Sequence, residues 1–98
     1  MEFNFGKAVE ALEQGQLVTR KGWNGKDMFL FYREGQIVPI QVIKTLPEMV
    51  KRYFSHKNLT ETEFTGYICM KTADNKIVNG WLASQTDITA EDWQVYKI

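Results

Sequence analysis

The strongest constraint on the fold comes from residues 67–82, where two strand-forming runs flank a short turn. Tyr67–Thr72 and Ile77–Leu82 form the runs, and the residues between them include Ala73, Asp74 and Asn75. Asp and Asn favour turns because their side chains bond to nearby backbone and tolerate left-handed conformations. The segment therefore predicts a β-hairpin, and antiparallel pairing is the starting point for the fold.

Two helices are predicted outside the hairpin. Asn4 is suited to cap a short amphipathic helix over residues 5–14, and Gly15 is placed to end that helix in a left-handed conformation. Pro47 is suited to open a second helix that continues through Phe54, because apolar residues share one stripe along this segment. Both helices are short.

The other patterns add strands and loops. Strands are predicted at residues 17–19, 28–33 and 93–98, and exposed polar loops at residues 56–63 and 84–87. Thr89, with Asp92 three residues later, resembles the start of a capped helical turn. The resulting fold class is α+β, with a short N-terminal helix packed on an antiparallel sheet in one small domain spanning residues 1–98.

Size and charge exclude several classes of function. A chain of 98 residues has room for one hydrophobic core, and its twelve basic and twelve acidic residues cancel, so binding to DNA or RNA is not expected. Cys69 is the only cysteine, which excludes an internal disulfide framework. No apolar run approaches the roughly 20 residues that span a bilayer, so we expect no membrane anchor or signal peptide and a cytoplasmic setting.

Catalytic and metal sites find little support. His56 is the only histidine and falls in the predicted polar loop, where an exposed surface role is favoured. Ser84 has Asp87 nearby but no identifiable base to activate it. Asp87, Glu91 and Asp92 lack the spacing of a calcium loop and are better explained as carboxylates at a helix start. We therefore expect no catalytic residue, metal or cofactor.

Two segments carry groups that suit a nucleotide, although neither a Walker motif nor GxGxxG is present. Residues 19–25 supply two cations, Trp23, Asn24 and two glycines. Residues 80–87 supply Trp81 and four consecutive polar side chains. An aromatic ring can stack on a base, and short polar side chains can bond ribose and phosphate. Taken alone, the same residues fit a core tryptophan and an ordinary turn equally well.

At these residues the sequence resembles the phage Thoeris anti-defence sponge family of the second type. The resemblance rests on four blocks: Phe5-Gly6-x-Ala8 with Leu12 and Gly15, Arg20-Lys21-Gly22-Trp23-Asn24-Gly25, Ile68-Cys69-Met70-Lys71-Thr72-Ala73-Asp74, and Gly80-Trp81-Leu82-Ala83-Ser84-Gln85-Thr86-Asp87 with Ala90-Glu91-Asp92-Trp93. These blocks span both ends of the chain. Residues 36–65 match no part of the family pattern and are where this member is expected to differ.

The resemblance implies a homotetramer without catalytic activity in the cytoplasm of the infected host. Such a protein captures glycocyclic ADP-ribose signals and so inhibits Thoeris defence. Some members also hold cyclic dinucleotides, which would extend the inhibition to CBASS defence. By matching motif, Trp23 would stack on the base, Asn24 would bond the ligand, and Ser84, Gln85, Thr86 and Asp87 would line the polar side. Chemistry and neighbourhood also nominate Arg20 to neutralise a phosphate and Phe5 to close an apolar wall.

Two other functions compete with capture. The chain could hydrolyse the cyclic signal, in which case Asp87 or His56 would have to act as acid or base. Alternatively, it could be a phage protein-binding module whose exposed aromatic residues contact another protein and no nucleotide. Capture, hydrolysis and protein binding require different arrangements of the same residues, so the structure helps to distinguish the three functions.

Overall fold

A computed structural model describes all 98 residues, which separate into two compact units. Residues 1–33 and 67–98 form the first unit, and residues 34–66 form the second. The first unit contains α1 (Phe5–Glu13), β1 (Val18–Arg20), β2 (Phe29–Arg33), β5 (Tyr67–Lys71), β6 (Ile77–Asn79), α3 (Gln85–Thr89) and β7 (Trp93–Val95). The second contains β3 (Gln36–Pro39), a 3₁₀ turn (Ile40–Val42), α2 (Glu48–His56) and β4 (Glu61–Phe64).

The first unit is built on a five-stranded sheet in the order β6-β5-β2-β1-β7. All four pairings are antiparallel. Val18 lies opposite Leu30 on one side and Val95 on the other, and Leu30 lies opposite Met70. Directly opposed residues share a face of the sheet, so these apolar side chains line one surface. The predicted α+β class with an antiparallel sheet is confirmed.

Helix α1 follows the predicted capping pattern. The Asn4 side chain accepts a hydrogen bond from the Lys7 amide at 3.0 Å. At the other end, the amides of Gly15 and Gln16 donate to the carbonyls of Leu12 and Ala11. This pairing closes the last turn and requires the left-handed backbone of Gly15, whose φ is 87°.

The core of the first unit lies between α1 and the sheet. Ala8, Ala11 and Leu12 are buried on α1, and they cluster with Val18, Leu30 and Trp93 of the strands. The helix spacing of the three α1 residues places them on one face, which explains why a helix this short docks stably. The predicted packing of an N-terminal helix on the sheet is therefore confirmed.

The predicted hairpin is also present. Strands β5 and β6 pair from Cys69 opposite Asn79 to Lys71 opposite Ile77. The Thr72 amide donates to the Lys76 carbonyl, and Asn75 takes the left-handed conformation with φ of 63°. A residue of this kind closes a three-residue hairpin loop, and asparagine adopts it more readily than most residues.

The second unit contains α2, as predicted, but the segment after α2 differs from the prediction. Residues 56–63 are not one exposed loop, because His56 ends α2 and Glu61–Phe64 form β4, which pairs antiparallel with β3. Asn58 permits this change of direction, since its φ is 57° and the Leu59 amide donates back to the Phe54 carbonyl. His56 remains exposed. None of the helices is both long and apolar enough to cross a membrane.

Residues 84–87 also differ from the sequence prediction. They do not form a polar loop, because Ser84 caps α3 and Gln85–Thr89 are helical. The predicted capped turn at Thr89 and Asp92 is wrong, since Thr89 ends α3 and Ala90 is extended. Ser84 and Asp87 have the same spacing as Thr89 and Asp92, and the cap forms at the first pair.

Substitutions at Leu30 and Leu82 test which residues form the core. Leu30 is completely buried, whereas Leu82 is 90% exposed. We expect Leu30→Ala to lower the free energy of unfolding by about 2–5 kcal/mol, because the substitution removes buried methyl groups and leaves a cavity. Leu82→Ala should change it by less than about 0.5 kcal/mol. Urea denaturation followed by circular dichroism measures both, and equal effects would contradict the assignment.

Candidate functional site

The three tryptophans, which are distant in sequence, meet in the first unit. The Trp23 ring lies 5.3 Å from Trp93 and 6.2 Å from Trp81, and Trp81 lies 6.2 Å from Trp93, each pair in an edge-to-face arrangement. Trp93 is fully buried, whereas Trp23 and Trp81 are half-buried. We call these three residues the tryptophan cluster. Trp23 thus packs against the core and still presents part of its ring to solvent.

A tight turn brings Trp23 into the cluster. Strand β1 ends at Arg20, and the Trp23 amide donates to the Arg20 carbonyl at 3.2 Å. The Lys21 amide donates to the Asp92 carbonyl, which fixes the turn against the segment that precedes β7. Phe5 reaches the same region from the start of α1, where its ring lies 5.6 Å from Trp93.

Asp87 is the only polar residue that is buried, with 8% of its surface exposed. Its Oδ1 accepts hydrogen bonds from Arg20 Nη1 at 2.8 Å and from Trp23 Nε1 at 3.1 Å. Its Oδ2 accepts from the Ser84 amide at 3.1 Å and from Ser84 Oγ at 2.9 Å. Four donors match the four lone-pair sites of a carboxylate. The backbone carbonyl of the same residue accepts from Trp93 Nε1 at 2.9 Å.

A second carboxylate shares the Arg20 guanidinium. Asp92 Oδ1 accepts from Arg20 Nε at 2.8 Å, and its Oδ2 accepts from the Gly22 amide at 2.7 Å. A side chain at position 22 would collide with this carboxylate, since a Cβ built there lies 2.7 Å from Asp92 Oδ2. The Arg20 side chain is only 13% exposed and is held between two acids. A ligand phosphate would have to compete with both for Arg20.

The start of α3 is a capping box. Ser84 Oγ accepts from the Asp87 amide at 3.1 Å, while the Asp87 carboxylate accepts from the Ser84 amide. This reciprocal pair satisfies backbone donors that a helix start otherwise leaves free. The side chains of Ser84 and Asp87 are therefore committed to the local structure.

These contacts also set the protonation of the cluster. Burial alone would raise the pKa of Asp87, but hydrogen bonds from Arg20, Ser84 and Trp23 outweigh it and lower that pKa below its usual value. The hydrogen bond from Arg20 is the main reason that the pKa of Asp92 is also lowered. The two carboxylates in turn raise the pKa of Arg20, Asp92 more than Asp87. All three groups are charged at neutral pH.

The residues nominated from sequence fall into two groups. In the first group, Asp87 accepts hydrogen bonds from Arg20, Trp23 and Ser84. Phe5 belongs to the same region because its ring packs near Trp93. Asn24, Gln85 and Thr86 are exposed, and the structure gives none of their side chains a hydrogen-bond partner within the chain. Because Asn24 follows Trp23 and Thr86 precedes Asp87, the Trp23–Asp87 bond brings the backbone positions of the second group together as well.

Sequence reasoning places Trp81 among the groups that suit a nucleotide, but it misses Asp92 and Trp93 as parts of this arrangement. The sequence pattern indicates a capping role for Asp92, whereas in the structure its carboxylate is bonded to Arg20, 72 positions away. Trp93 has no sequence signal beyond its strand and its size. No local pattern predicts such long-range pairing. The sequence is compatible with it, because Arg20 in an early block is followed by Asp87 and Asp92 in a late block that contains tryptophan.

Two concave surfaces are lined by none of the three residues of the tryptophan cluster. One, of about 310 Å³, is lined by Ile40, Gln41, Lys51, Ser55, Asn58, Leu59 and Thr60 in the second unit. The other, of about 250 Å³, is lined by Met1, Phe3, Gln94, Val95 and Lys97. Neither is lined by a nominated residue. No three His, Cys, Asp or Glu side chains are grouped so that they could hold a metal ion.

The lowered pKa values predict how stability depends on pH. A carboxyl whose pKa is lower in the folded state adds stability at pH values above its unfolded pKa of about 4 and loses it as the pH falls through the folded value. We expect the contribution of Asp87 and Asp92 to the free energy of unfolding to be constant above about pH 5 and to fall below about pH 4. Urea denaturation at pH 3–7 measures this. Asp92→Asn should be less stable at pH 7 and show a shallower loss in acid, and a loss as steep as in the unchanged protein would contradict the prediction.

Comparisons with known proteins cover nearly the whole chain. The model of the Thoeris anti-defense 2-like domain matches residues 3–96. The chain is 40% identical over 94 residues to the Thoeris anti-defense 2 protein of Bacillus phage SP01, an alignment that covers 96% of this chain and 94% of that protein. Both matches include the second unit, where the sequence analysis found no correspondence. The chain belongs to the Thoeris anti-defense 2-like family, and this membership implies a role in phage inhibition of Thoeris defence.

Proposed function

We propose that this protein is a non-catalytic sponge that captures a cyclic nucleotide signal of Thoeris defence. The ligand class is a glycocyclic ADP-ribose, and cyclic dinucleotides of CBASS defence are a second candidate. Capture would take place in the cytoplasm of the infected host. Family membership supports the defence system, and the tryptophan cluster with its adjoining polar side chains supports a binding role.

The observation that carries the proposal is the hydrogen bond between Trp23 and Asp87. It joins two sequence blocks that are 64 residues apart, and each block carries polar side chains that have no use within the chain. A half-buried aromatic ring beside exposed polar groups is typical of small-molecule sites, where apolar surface supplies affinity and a few polar groups supply orientation.

The proposed contacts follow from which groups are free. The exposed part of the Trp23 ring would stack on the purine, a contact worth about 1–3 kcal/mol per base. Asn24, Gln85 and Thr86 would donate and accept hydrogen bonds at the ribose, phosphate or base edge. Phe5 and Trp81 would support the apolar wall, while Ser84 and Arg20 would hold the surrounding structure in place.

The chemistry at Asp87 supports capture rather than hydrolysis. A general acid near neutral pH needs a raised pKa, whereas hydrogen bonds lower the pKa of Asp87. A serine nucleophile is normally activated by an imidazole, whereas Ser84 Oγ donates its proton to this same carboxylate. These groups are arranged for stability of the cluster.

We also propose that the protein acts as a homo-oligomer, with a tetramer as the expected form. Helix α2 has no buried residue, although its apolar residues form one stripe. Met49 and Tyr53 on that stripe are 69% and 58% exposed. Contiguous exposed apolar surface of this kind marks association sites, and interfaces between identical chains are rich in aromatic residues and methionine.

Ligand binding is tested with Asn24→Ala and Gln85→Ala. The unchanged protein should show a higher melting temperature with a glycocyclic ADP-ribose isomer, because the ligand binds the native state. Each variant should bind about tenfold more weakly in calorimetry, since each loses one hydrogen bond to ligand. Their melting temperatures without ligand should stay within about 1 °C, as neither side chain has a partner. Gln14→Ala, at the exposed end of α1, is the matched control and should bind normally.

The fate of the ligand separates the three candidate functions. After incubation the protein is denatured and the released nucleotide is analysed by chromatography and mass spectrometry. Recovery of intact ligand supports the sponge. Degraded ligand would identify an enzyme instead, and the absence of binding to any cyclic nucleotide would favour a protein-binding module.

Self-association is tested with Tyr53→Glu. A charge in the centre of the α2 stripe should oppose burial, so the particle mass measured by light scattering should fall from about four times 11.4 kDa toward that of one chain. Ser55→Glu places the same charge on the opposite side of α2 and should leave the mass unchanged. An assembly unaffected by Tyr53→Glu would show that α2 does not mediate it.

A further inference from the structure

We propose that Asp87 is a positioning residue for capture, which fixes the plane of the Trp23 ring and does not itself touch the ligand. The proposal rests on the proposed function at Trp23 and assigns Asp87 a role different from that of a ligand contact. Its basis is the set of hydrogen bonds that converge on this one buried residue.

The carboxylate has no remaining capacity for a ligand. Its two oxygens accept from Arg20 Nη1, Trp23 Nε1, the Ser84 amide and Ser84 Oγ at 2.8–3.1 Å. A ligand donor would have to displace one of these four, and only 8% of the residue is exposed. A ligand that carries phosphates is moreover an anion, which a carboxylate repels.

Trp23 needs such a restraint because its other contacts are apolar. The ring meets the edges of Trp81 and Trp93, and the loop that follows it contains Gly25. Its edge-to-face contacts restrain the ring through apolar packing, whereas the hydrogen bond from Nε1 also fixes the direction in which the indole N–H points. A ring held before the ligand arrives loses less conformational entropy on binding.

The same residue also ties the ring to α3. Ser84 and Asp87 form the capping box of that helix, and Gln85 and Thr86 lie between them. The orientation of Trp23 and the placement of the two free polar side chains are therefore set by one carboxylate. Asp87 thereby couples the aromatic and polar sides of the proposed site.

The buried core does not depend on this side chain alone. Trp93 Nε1 donates to the backbone carbonyl of Asp87, a bond that any substitution of the side chain can retain. Asp92 keeps its own bonds to Arg20 and Gly22. These contacts allow positioning to be measured separately from folding.

The test compares Asp87→Ala with Asp92→Asn, which also removes a carboxylate from Arg20 but does not touch Trp23. The indole N–H resonance of Trp23, assigned by its loss in Trp23→Phe, reports the hydrogen bond directly in ¹H–¹⁵N spectra. In Asp87→Ala it should move upfield and the affinity for a glycocyclic ADP-ribose isomer should fall at least tenfold. In Asp92→Asn the resonance should keep its position and the affinity should change less than threefold.

Asp87→Asn is a conservative variant that should restore what Asp87→Ala loses. It also allows the proposal to be tested if Asp87→Ala does not fold. The amide oxygen can still accept from Trp23 Nε1, so the resonance should stay near its original position and most of the affinity should return. If affinity is lost in Asp87→Asn while the resonance is unchanged, the charge contacts the ligand and the proposal is overturned. An unchanged resonance in Asp87→Ala would overturn it as well.

A double-mutant cycle distinguishes positioning from direct contact. Because Asp87 positions the Trp23 ring, Asp87→Ala should cost a smaller factor in affinity when Trp23→Phe is already present than in the unchanged protein, and the remaining factor reports the placement of Gln85 and Thr86. A direct ligand contact would cost the same factor in both backgrounds. If the unchanged protein binds no cyclic nucleotide, the proposed function fails, and the Trp23 resonance alone decides whether Asp87 holds the ring.

Discussion

The candidate functional site depends on the hydrogen bonds that the buried Asp87 carboxylate accepts. Transfer of a charge out of water is unfavourable unless hydrogen bonds and an opposite charge replace the lost hydration. Here four donors do so, and one of them, the Arg20 guanidinium, also supplies the opposite charge. The donors come from the end of β1, the loop after it and the start of α3. Each of these segments is short, and the shared carboxylate is what holds them in register.

This arrangement divides the residues of the matching blocks by role. Arg20 and Ser84 each bond to Asp87 and maintain the scaffold, whereas Asn24, Gln85 and Thr86 stay free at its surface. A sequence block alone does not show this division, because scaffold and surface residues alternate within it. In the structure the Arg20 and Asp87 charges are paired with each other, and the proposed contacts with ligand therefore use neutral polar groups and an aromatic ring.

Sequence predicted the elements whose signals are local. The caps of α1, the hairpin with its Asn75 turn and the α2 stripe all rest on residues within a few positions of each other, and all are confirmed. The β3–β4 ladder was missed because its pairing joins residues about 25 positions apart. Its strands contain Pro39 and several charged or polar residues, so they lack the apolar alternation that identifies a strand.

The start of α3 shows why the site was only partly predictable. Ser84 with Asp87 and Thr89 with Asp92 have the same capping spacing, and sequence offers no criterion to choose between them. Tertiary contacts decide, since Asp92 is bonded to Arg20 and Gly22 and is not available as a cap. For Trp23 the sequence leaves core and ligand roles open, and the structure packs the ring against the core while part of it stays exposed. The proposed function uses that exposed part.

A rigid cluster of this kind suits the proposed capture in physical terms. A sponge succeeds through slow release, and most differences in affinity between related complexes arise from the rate of dissociation. Preorganised groups lower the entropy lost on binding, so the free energy of stacking and hydrogen bonding is retained as affinity. In a unit with a single five-stranded sheet, the mostly buried ion pair between Arg20 of β1 and Asp87 of α3 holds a partly exposed ring without a larger core. The cluster therefore reconciles the small size of the first unit with the precision that tight binding of a nucleotide requires.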